Sequence, residues 1–238
     1  NNFFDYVQGI GLAFEKEVSL AETLAEIQAR GGEGAEVRND QKSVYINAIS
    51  PACVACQTGI DSRTYYISLK CSKNCFYCFN PNQEHYSYFQ KNKRDCAQEI
   101  REARAKGEQL NFIALTGGEP LLHLEETFSF FEAAKEAYPK AHTRLYTSGD
   151  FAKEEVLEKL GEIGLTEIRF SIRLHEGIGP RKKVMEKMAI AKKYIPQVMV
   201  EMPVFPDSYE TMKDILIELD ELGIFGINLL EFCFPFAN

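Results

Sequence analysis

The sequence predicts an α/β fold, a partial (β/α)6 TIM-like barrel with a parallel sheet and a small N-terminal extension. From Thr64 onward, six strand-like segments alternate with helical segments, and this order favours parallel strands joined by right-handed crossovers. About 175 residues carry the alternation, whereas a closed eight-stranded barrel needs about 250. Six strands therefore fit better than eight. The predicted domains are residues 1–60 for the extension and residues 61–238 for the barrel.

The first 60 residues depart from the strand–helix alternation. Ser19 is predicted to cap a short helix that ends at Gly31-Gly32. Residues 44–49 resemble a strand, and Asn39-Asp40 is a candidate hairpin turn before it. We therefore expect a small extension that packs on the barrel.

The six barrel strands are predicted from short runs rich in β-branched, aromatic and apolar residues. They cover residues 64–69, 111–115, 144–147, 167–172, 198–204 and 227–232. The helices between them are predicted from apolar residues at helical spacing, with a long helical stretch expected around residues 83–106. The clearest helix begins at Asp207 or Ser208 and carries one apolar stripe, formed by Met212, Ile215, Leu216, Leu219 and Leu222.

Composition and charge narrow the class of protein. Lys and Arg number 27 against 35 Asp and Glu, which gives a net charge of −8. An acidic surface repels phosphate backbones, so no general nucleic-acid binding is expected. The sequence has no apolar run of about 18 residues and no secretory pattern at its start. We therefore expect no membrane span and a cytoplasmic location.

Five of the seven cysteines fall between residues 53 and 78. An odd number of cysteines in a chain of this size does not suggest a disulfide framework, and clustered thiols indicate metal or iron–sulfur binding. Cys71, Cys75 and Cys78 have the spacing C-x3-C-x2-C. A 4Fe–4S cluster normally takes four cysteines, so three leave one iron open for catalysis. The alternative is a zinc site, which usually needs four ligands.

Three polar or glycine-rich segments follow three consecutive predicted strands. Cys71 comes just after the first strand, residues 116–120 (TGGEP) end the second, and residues 147–149 (TSG) end the third. In α/β barrels the chemistry lies at the carboxyl ends of the strands. These segments are therefore expected to form one site.

Through these residues the sequence resembles the radical S-adenosylmethionine (radical SAM) superfamily over about residues 61–238. The resemblance rests on the cysteine triplet, on Tyr77 directly before Cys78, and on the GGEP segment after the next strand. It implies a 4Fe–4S cluster on the three cysteines, with SAM bound to the open iron. It also implies reductive cleavage of SAM to a 5′-deoxyadenosyl radical that abstracts hydrogen from a substrate. The electron would come from a low-potential reductant such as flavodoxin or ferredoxin.

The resemblance also suggests which residues contact SAM. Gly117, Gly118 and Glu119 would contact its amino group, since glycines allow close backbone approach. Ser148 and Ser171, at two strand ends, are candidates for the ribose hydroxyls or the carboxylate. 

Three further residues have two interpretations each. Arg173 is either a bidentate clamp on the methionyl carboxylate or a surface arginine. Tyr77 either packs near the adenine or shields the cluster. Glu201 lies in the apolar run VMVEMPV, and it either faces the barrel interior, where it would touch SAM or substrate, or points outward to solvent.

The remaining cysteine sites are less defined. Cys53 and Cys56 form a C-x2-C pair, for which we consider an auxiliary cluster or zinc, a dithiol or disulfide pair, a direct catalytic role, or simple packing. The intervening strand places the pair toward the opposite, amino-terminal end of the barrel unless the preceding loop folds back. Cys233 ends the sixth predicted strand; it could donate a hydrogen atom, bind substrate or ligate metal, or simply pack.

The substrate has two candidate classes. An acidic chain with an extension and a possible second metal site suggests modification of a peptide or protein. The runner-up is a small metabolite or amino acid. A non-catalytic iron–sulfur electron carrier or sensor is the alternative outside enzymes, and the GGEP segment argues against it, since such a protein needs no SAM site.

Overall fold

The computed structural model describes residues 9, 11, 20–29, 34–40, 43–205 and 207–233. The chain divides into two compact units, residues 1–49 and residues 50–238. In the first unit, helix α1 covers Leu20–Ala29, and strands β1 (Ala35–Arg38) and β2 (Ser43–Ile46) pair antiparallel. The predicted cap Ser19 and stop Gly31-Gly32 lie outside the described residues.

The connection between β1 and β2 begins with the predicted turn residues. Asn39 and Asp40 both have positive φ, at 55° and 50°, a conformation that these two residue types tolerate better than most. The second strand ends at Ile46, three residues earlier than the sequence suggests. Antiparallel pairing places Val37 opposite Val44.

The second unit contains a parallel sheet of six strands in sequential order, which confirms the predicted partial barrel. Its strands are β3 (Ser62–Tyr66), β4 (Phe112–Thr116), β5 (His142–Thr147), β6 (Glu167–Ser171), β7 (Gln197–Val204) and β8 (Gly226–Glu231). Its α-helices are α2 (Pro51–Thr58), α3 (Tyr86–Phe89), α4 (Cys96–Ala105), α5 (Leu124–Ala137), α6 (Glu154–Ile163), α7 (Ile178–Ala191) and α8 (Tyr209–Leu222). Short 3₁₀ turns cover Asn80–Asn82 and Pro120–Leu122. No described helix combines the length and apolar character that a membrane crossing requires.

The long helix expected around residues 83–106 is wrong. The structure replaces it with the single turn α3 and the separate helix α4, because the chain between them returns to the end of β3. The backbone N–H of Arg94 donates to the Ile67 carbonyl at 2.8 Å. Asp95 then starts α4, since its side chain accepts the Gln98 N–H at 2.9 Å.

The two faces of the sheet have opposite character. Side chains alternate along a strand, so Leu145, Ile168 and Val200 face the helices and are buried in the hydrophobic core. Their neighbours Arg144, Arg169 and Glu201 face the concave interior and are buried among polar groups. The concave interior is therefore lined by charges, whereas the convex face forms the apolar core.

Helix α2 belongs to the barrel unit, although the predicted boundary lay at residue 60. Ser50 caps α2, and its hydroxyl donates to Glu167 Oε2 of β6 at 2.6 Å. Cys53 and Cys56 on the same helix contact two arginines of the sheet. These buried polar contacts join residues 50–60 to the barrel.

A core substitution tests this packing. Leu219→Ala in α8 removes a fully buried side chain, and we expect a loss of about 2–5 kcal/mol in the free energy of unfolding. Ile217→Ala, on the same helix but 50% exposed, is the matched control and should change it by less than about 0.5 kcal/mol. Urea denaturation of both variants measures the difference, and equal losses would contradict the described orientation of α8.

Candidate active site

The cysteine loop, defined as residues 71–78, begins five residues after β3 ends. Cys71, Cys75 and Cys78 are not in disulfides. Burial raises the pKa of the Cys71 thiol, and the neighbouring Cys75 and Cys78 sulfurs raise it further when charged. The Cys71 sulfur therefore lies close to the other two, and three neighbouring thiols fit the ligand set of an iron–sulfur cluster. Among the described residues, no group of three His, Cys, Asp or Glu side chains is arranged so that it could hold a metal ion in this structure.

The GGEP segment, residues 117–120, forms hydrogen bonds with the chain on both sides of the cysteine loop. The Gly118 N–H donates to the Ser68 carbonyl at 3.1 Å, and the Glu119 N–H donates to the Lys70 carbonyl at 2.8 Å. On the far side of the loop, Asn80 Nδ2 donates to the Gly117 carbonyl at 2.7 Å. The exit of β4 thus fixes the chain immediately before Cys71 and shortly after Cys78.

These contacts explain why two glycines occur here. A Cβ on Gly118 would lie 1.9 Å from the Lys70 carbonyl oxygen, which backbone atoms cannot accommodate. Gly117 has φ +117°, and a Cβ there would lie 2.7 Å from the Ser68 carbonyl oxygen. Both glycines are required by the close approach of the chain that leads into the cysteine loop. Their predicted contact with the SAM amino group stays a prediction.

The carboxylate of Glu119 links the exits of two strands. It is 1% exposed and accepts three hydrogen bonds, from the Thr147 hydroxyl at 2.8 Å, the Ser148 N–H at 2.7 Å and the Leu121 N–H at 3.1 Å. Thr147 ends β5, so Glu119 joins the β4 exit to the β5 exit. The structure shows this positioning role, which the sequence alone did not indicate.

Arg173 is 3% exposed, so the surface interpretation is wrong. Its Nε lies 2.8 Å from Glu176 Oε1, and its Nη1 donates to the Ser171 carbonyl at 3.4 Å. Burial raises the pKa of Cys75, whereas the nearby Arg173 charge lowers it. A fixed positive charge therefore lies beside the cysteine loop and after β6, where a bound carboxylate would find a partner.

An aromatic cover lies at the same edge of the barrel. It consists of Phe76, Tyr77, His175, Phe205 and Phe232. Tyr77 contacts His175 and Phe205 with ring centroids 5.6 and 5.5 Å apart, and Phe205 contacts Phe232 at 4.8 Å. Burial raises the pKa of Tyr77. Of these five residues, the sequence analysis identified only Tyr77. The signal it missed is that Phe205 and Phe232 each directly follow the last residue of a strand.

Glu201 faces the barrel interior. Its Oε1 lies 2.5 Å from Arg169 Nη1, and its Oε2 accepts from Asn228 Nδ2 at 2.9 Å. Burial raises the pKa of Glu201, and the Arg169 charge opposes that rise. The outward interpretation is therefore wrong, whereas contact with SAM or substrate stays a prediction.

At the opposite, amino-terminal edge of the sheet, ion pairs and hydrogen bonds join His142, Glu167 and Arg169, a cluster that we call the polar floor. Arg169 also pairs with Glu167, the first residue of β6, and His142 Nε2 lies 3.2 Å from the second oxygen of Glu167. Burial would raise the pKa of Glu167, but hydrogen bonds from His142 and Ser50 and the Arg169 charge hold it at about 2. This carboxylate is therefore ionised at neutral pH.

The cysteines outside the triplet lie at different edges. Cys53 Sγ accepts from Arg169 Nη2 at 3.2 Å, and Cys56 Sγ accepts from Arg144 Nη2 at 2.8 Å, which places both on the polar floor. The structure does not bring this pair to the cysteine loop. Cys233 is exposed, two residues after β8 at the carboxyl edge.

A sequence model described as the Radical SAM superfamily matches residues 65–219. A Methanocaldococcus jannaschii protein, provisionally named glycyl-radical enzyme activating enzyme MJ0021, is 29% identical over 192 residues, which cover 76% of this chain and 50% of that protein. The chain thus spans about half the length of this curated relative.

Two solved structures of SuiB from Streptococcus suis share the fold. SuiB bound to S-adenosylmethionine has a TM-score of 0.59 at 18% identity, covering 71% of this chain and 40% of SuiB. SuiB bound to the precursor peptide SuiA has a TM-score of 0.60 at 15% identity, covering 98% and 52%. At this identity the likeness concerns the fold alone.

The glycine contacts lead to a prediction about the cysteine loop. Gly118→Ala should lower the melting temperature and the iron content after anaerobic reconstitution, because the added Cβ displaces the chain before Cys71. Gly179→Ala in α7 is the control, since nothing lies within 4 Å of its added Cβ. Unchanged iron content in Gly118→Ala would contradict the close contact described between Gly118 and Lys70.

The polar floor leads to a prediction about pH. The depressed pKa of Glu167 means that its charge stabilises the fold above about pH 4.5, and that this stabilisation disappears as the pH falls toward 2. Glu167→Gln should therefore be less stable than the wild type at pH 7 by about 3 kcal/mol, with the gap narrowing as the pH falls. Urea denaturation at several pH values measures the gap. The exposed Glu162→Gln should show none, and a pH-independent gap for Glu167→Gln would contradict the account.

Proposed function

The chain belongs to the Radical SAM superfamily, a family of enzymes that use a 4Fe–4S cluster and SAM, and from this we propose that Cys71, Cys75 and Cys78 hold the cluster. When bound, the cluster and SAM supply a 5′-deoxyadenosyl radical that abstracts hydrogen from the substrate. The observation that carries the proposal is the GGEP segment, which binds both ends of a loop with three neighbouring thiols. Membership of an enzyme family argues against the electron-carrier alternative.

The chain's own residues position SAM and exclude water. We assign the methionyl carboxylate to Arg173, whose buried guanidinium lies beside the cysteine loop. Ser148 and Ser171, at the β5 and β6 exits, are assigned to the ribose hydroxyls. The aromatic cover closes this edge with apolar rings, which keeps water away from a reactive radical.

For the substrate we propose a peptide or a protein. The curated relative is provisionally named as an activating enzyme for another enzyme, and SuiB was solved with a precursor peptide. Within this chain, Phe76 and Phe79 are half-exposed near the same edge, and Glu201 and Asn228 offer polar groups inside the barrel. An apolar rim over a polar interior suits a peptide, which presents side chains together with backbone amides.

For the reductant we propose an acidic, low-potential carrier such as flavodoxin or ferredoxin. A hollow of about 520 Å³ beside Cys71 is lined by Lys70, Lys91 and Lys93 together with Ser68, Gln90 and His123. Lys70 and Lys91 are exposed. On a chain of net charge −8, a lysine-rich hollow next to the cluster ligands attracts an acidic partner.

Cysteine variants test the cluster assignment. Cys71→Ala, Cys75→Ala and Cys78→Ala should each abolish 5′-deoxyadenosine formation by the reduced, reconstituted protein, because each removes an iron ligand. Cys96→Ala is the control: this buried thiol donates to the Tyr66 carbonyl outside the loop, so cleavage should persist. Full activity in any triplet variant would refute the assignment.

Isotope transfer tests the substrate class. The holoprotein, reduced with dithionite, is incubated with SAM and either the dialysed or the diffusible fraction of an extract from cells grown in deuterated medium. We expect deuterium in 5′-deoxyadenosine from the dialysed fraction, which retains proteins and large peptides. Deuterium from the diffusible fraction alone would favour a small metabolite or amino acid.

A further inference from the structure

Helix α2 presents two cysteines to two buried guanidinium groups at the amino-terminal edge of the barrel. Cys56 Sγ accepts from Arg144 Nη2 at 2.8 Å, and Cys53 Sγ accepts from Arg169 Nη2 at 3.2 Å. Ser50 fixes the start of the helix, since its hydroxyl accepts the Ala52 N–H and donates to Glu167. Both sulfurs are thus held against the polar floor by charged donors.

The two arginines differ in their partners. Arg169 pairs with the carboxylates of Glu167 and Glu201. Arg144 is 1% exposed and pairs with no carboxylate among the described residues; its Nε and Nη1 lack hydrogen-bond partners there. A guanidinium keeps its charge even when it is buried. The Cys56 sulfur is the hydrogen-bond acceptor that Arg144 contacts.

This arrangement favours thiol chemistry over metal binding at the pair. A metal ion bound by both sulfurs would lie close to two guanidinium charges, and like charges at short range repel each other. Two thiols also supply only half of a tetrahedral zinc site. A cation beside a cysteine instead activates the sulfur as a nucleophile.

We propose that Cys53 and Cys56 form a redox-active dithiol that exchanges with small-molecule disulfides at the edge of the barrel opposite the cysteine loop. Cys56 is the more exposed of the two, so its sulfur attacks the disulfide and releases one thiol. Cys53 then attacks the Cys56 sulfur of the mixed disulfide and releases the second thiol. One small disulfide is reduced to two thiols, and the protein dithiol is oxidised to one disulfide.

The spacing and the contacts set the character of this pair. Residues three apart on a helix are neighbours on one face, about 5–6 Å apart at Cβ, so modest tightening of the first turns brings them to bonding distance. Oxidation turns the Cys56 thiol into a disulfide sulfur, a weaker hydrogen-bond acceptor for Arg144, whose guanidinium then keeps the Tyr146 ring at 5.6 Å as its electron-rich neighbour. The disulfide is therefore readily reversed by added thiols, in contrast to a structural crosslink.

Peptide mass spectrometry tests the proposal on the reconstituted holoprotein, because trypsin releases residues 43–63 as one peptide whose cysteines are Cys53 and Cys56. After anaerobic exposure to oxidised glutathione, this peptide should lose two hydrogens and regain them with dithiothreitol. Cys233 is exposed and has no second cysteine in its own tryptic peptide, so it is the internal control and should instead retain glutathione. Cys53→Ser should trap glutathione on Cys56, since the resolving sulfur is gone.

The variant Arg144→Gln tests whether the Arg144 charge speeds disulfide exchange at Cys56. In variants that melt within a few degrees of the wild type, we expect glutathione exchange at Cys56 to slow about tenfold, because the activating charge is lost. Cys53→Ser alone keeps the proposal falsifiable if Arg144→Gln does not fold. Absence of the internal disulfide in residues 43–63, or iron or zinc that is lost in Cys53→Ser/Cys56→Ser, would overturn it. Neither result bears on SAM cleavage, whose ligands are the loop cysteines.

Discussion

The site depends on the hydrogen bonds that the buried carboxylate of Glu119 accepts from the end of β5. Glu119 accepts these hydrogen bonds from Thr147 and Ser148, and its own N–H holds Lys70 just before the cysteine loop. Three consecutive strand ends are therefore fixed to each other by one residue. The adjacent glycines follow from this constraint, since Gly118 has no room for a Cβ against Lys70. The cysteine loop and the exit of β5 thus share a single support.

The two edges of the barrel carry different sets of residues. The carboxyl edge carries the thiol triplet, Arg173 and the aromatic cover, and it suits radical chemistry protected from water. The amino-terminal edge is closed by the ion pair of Glu167 with Arg169 and by helix α2. Charged side chains inside the barrel join these edges, because every second residue of each strand faces inward.

The sequence predicts the fold well, since the fold rests on local patterns, whereas the cluster ligands stay a prediction. Strand order follows from alternation, and the triplet with GGEP marks the carboxyl edge. The rest depends on contacts between distant residues. No local signal shows that residues 91–94 return to β3, which breaks the expected helix, or that Glu119 reaches Thr147. The partners of Cys53 and Cys56 lie about 90 residues or more along the chain, so spacing alone left four interpretations open.

A double-mutant cycle on SAM binding tests the central claim that the Glu119–Thr147 contact shapes the SAM site. The SAM dissociation constant is measured for the holoproteins of the wild type, Glu119→Gln, Thr147→Val and the double variant, with iron content checked in each. The account predicts weaker binding in both single variants and a loss in the double variant that is smaller than the sum of the two single losses, because the two changes share one contact. Unchanged affinity in the single variants, or fully additive losses in the double variant, would contradict it.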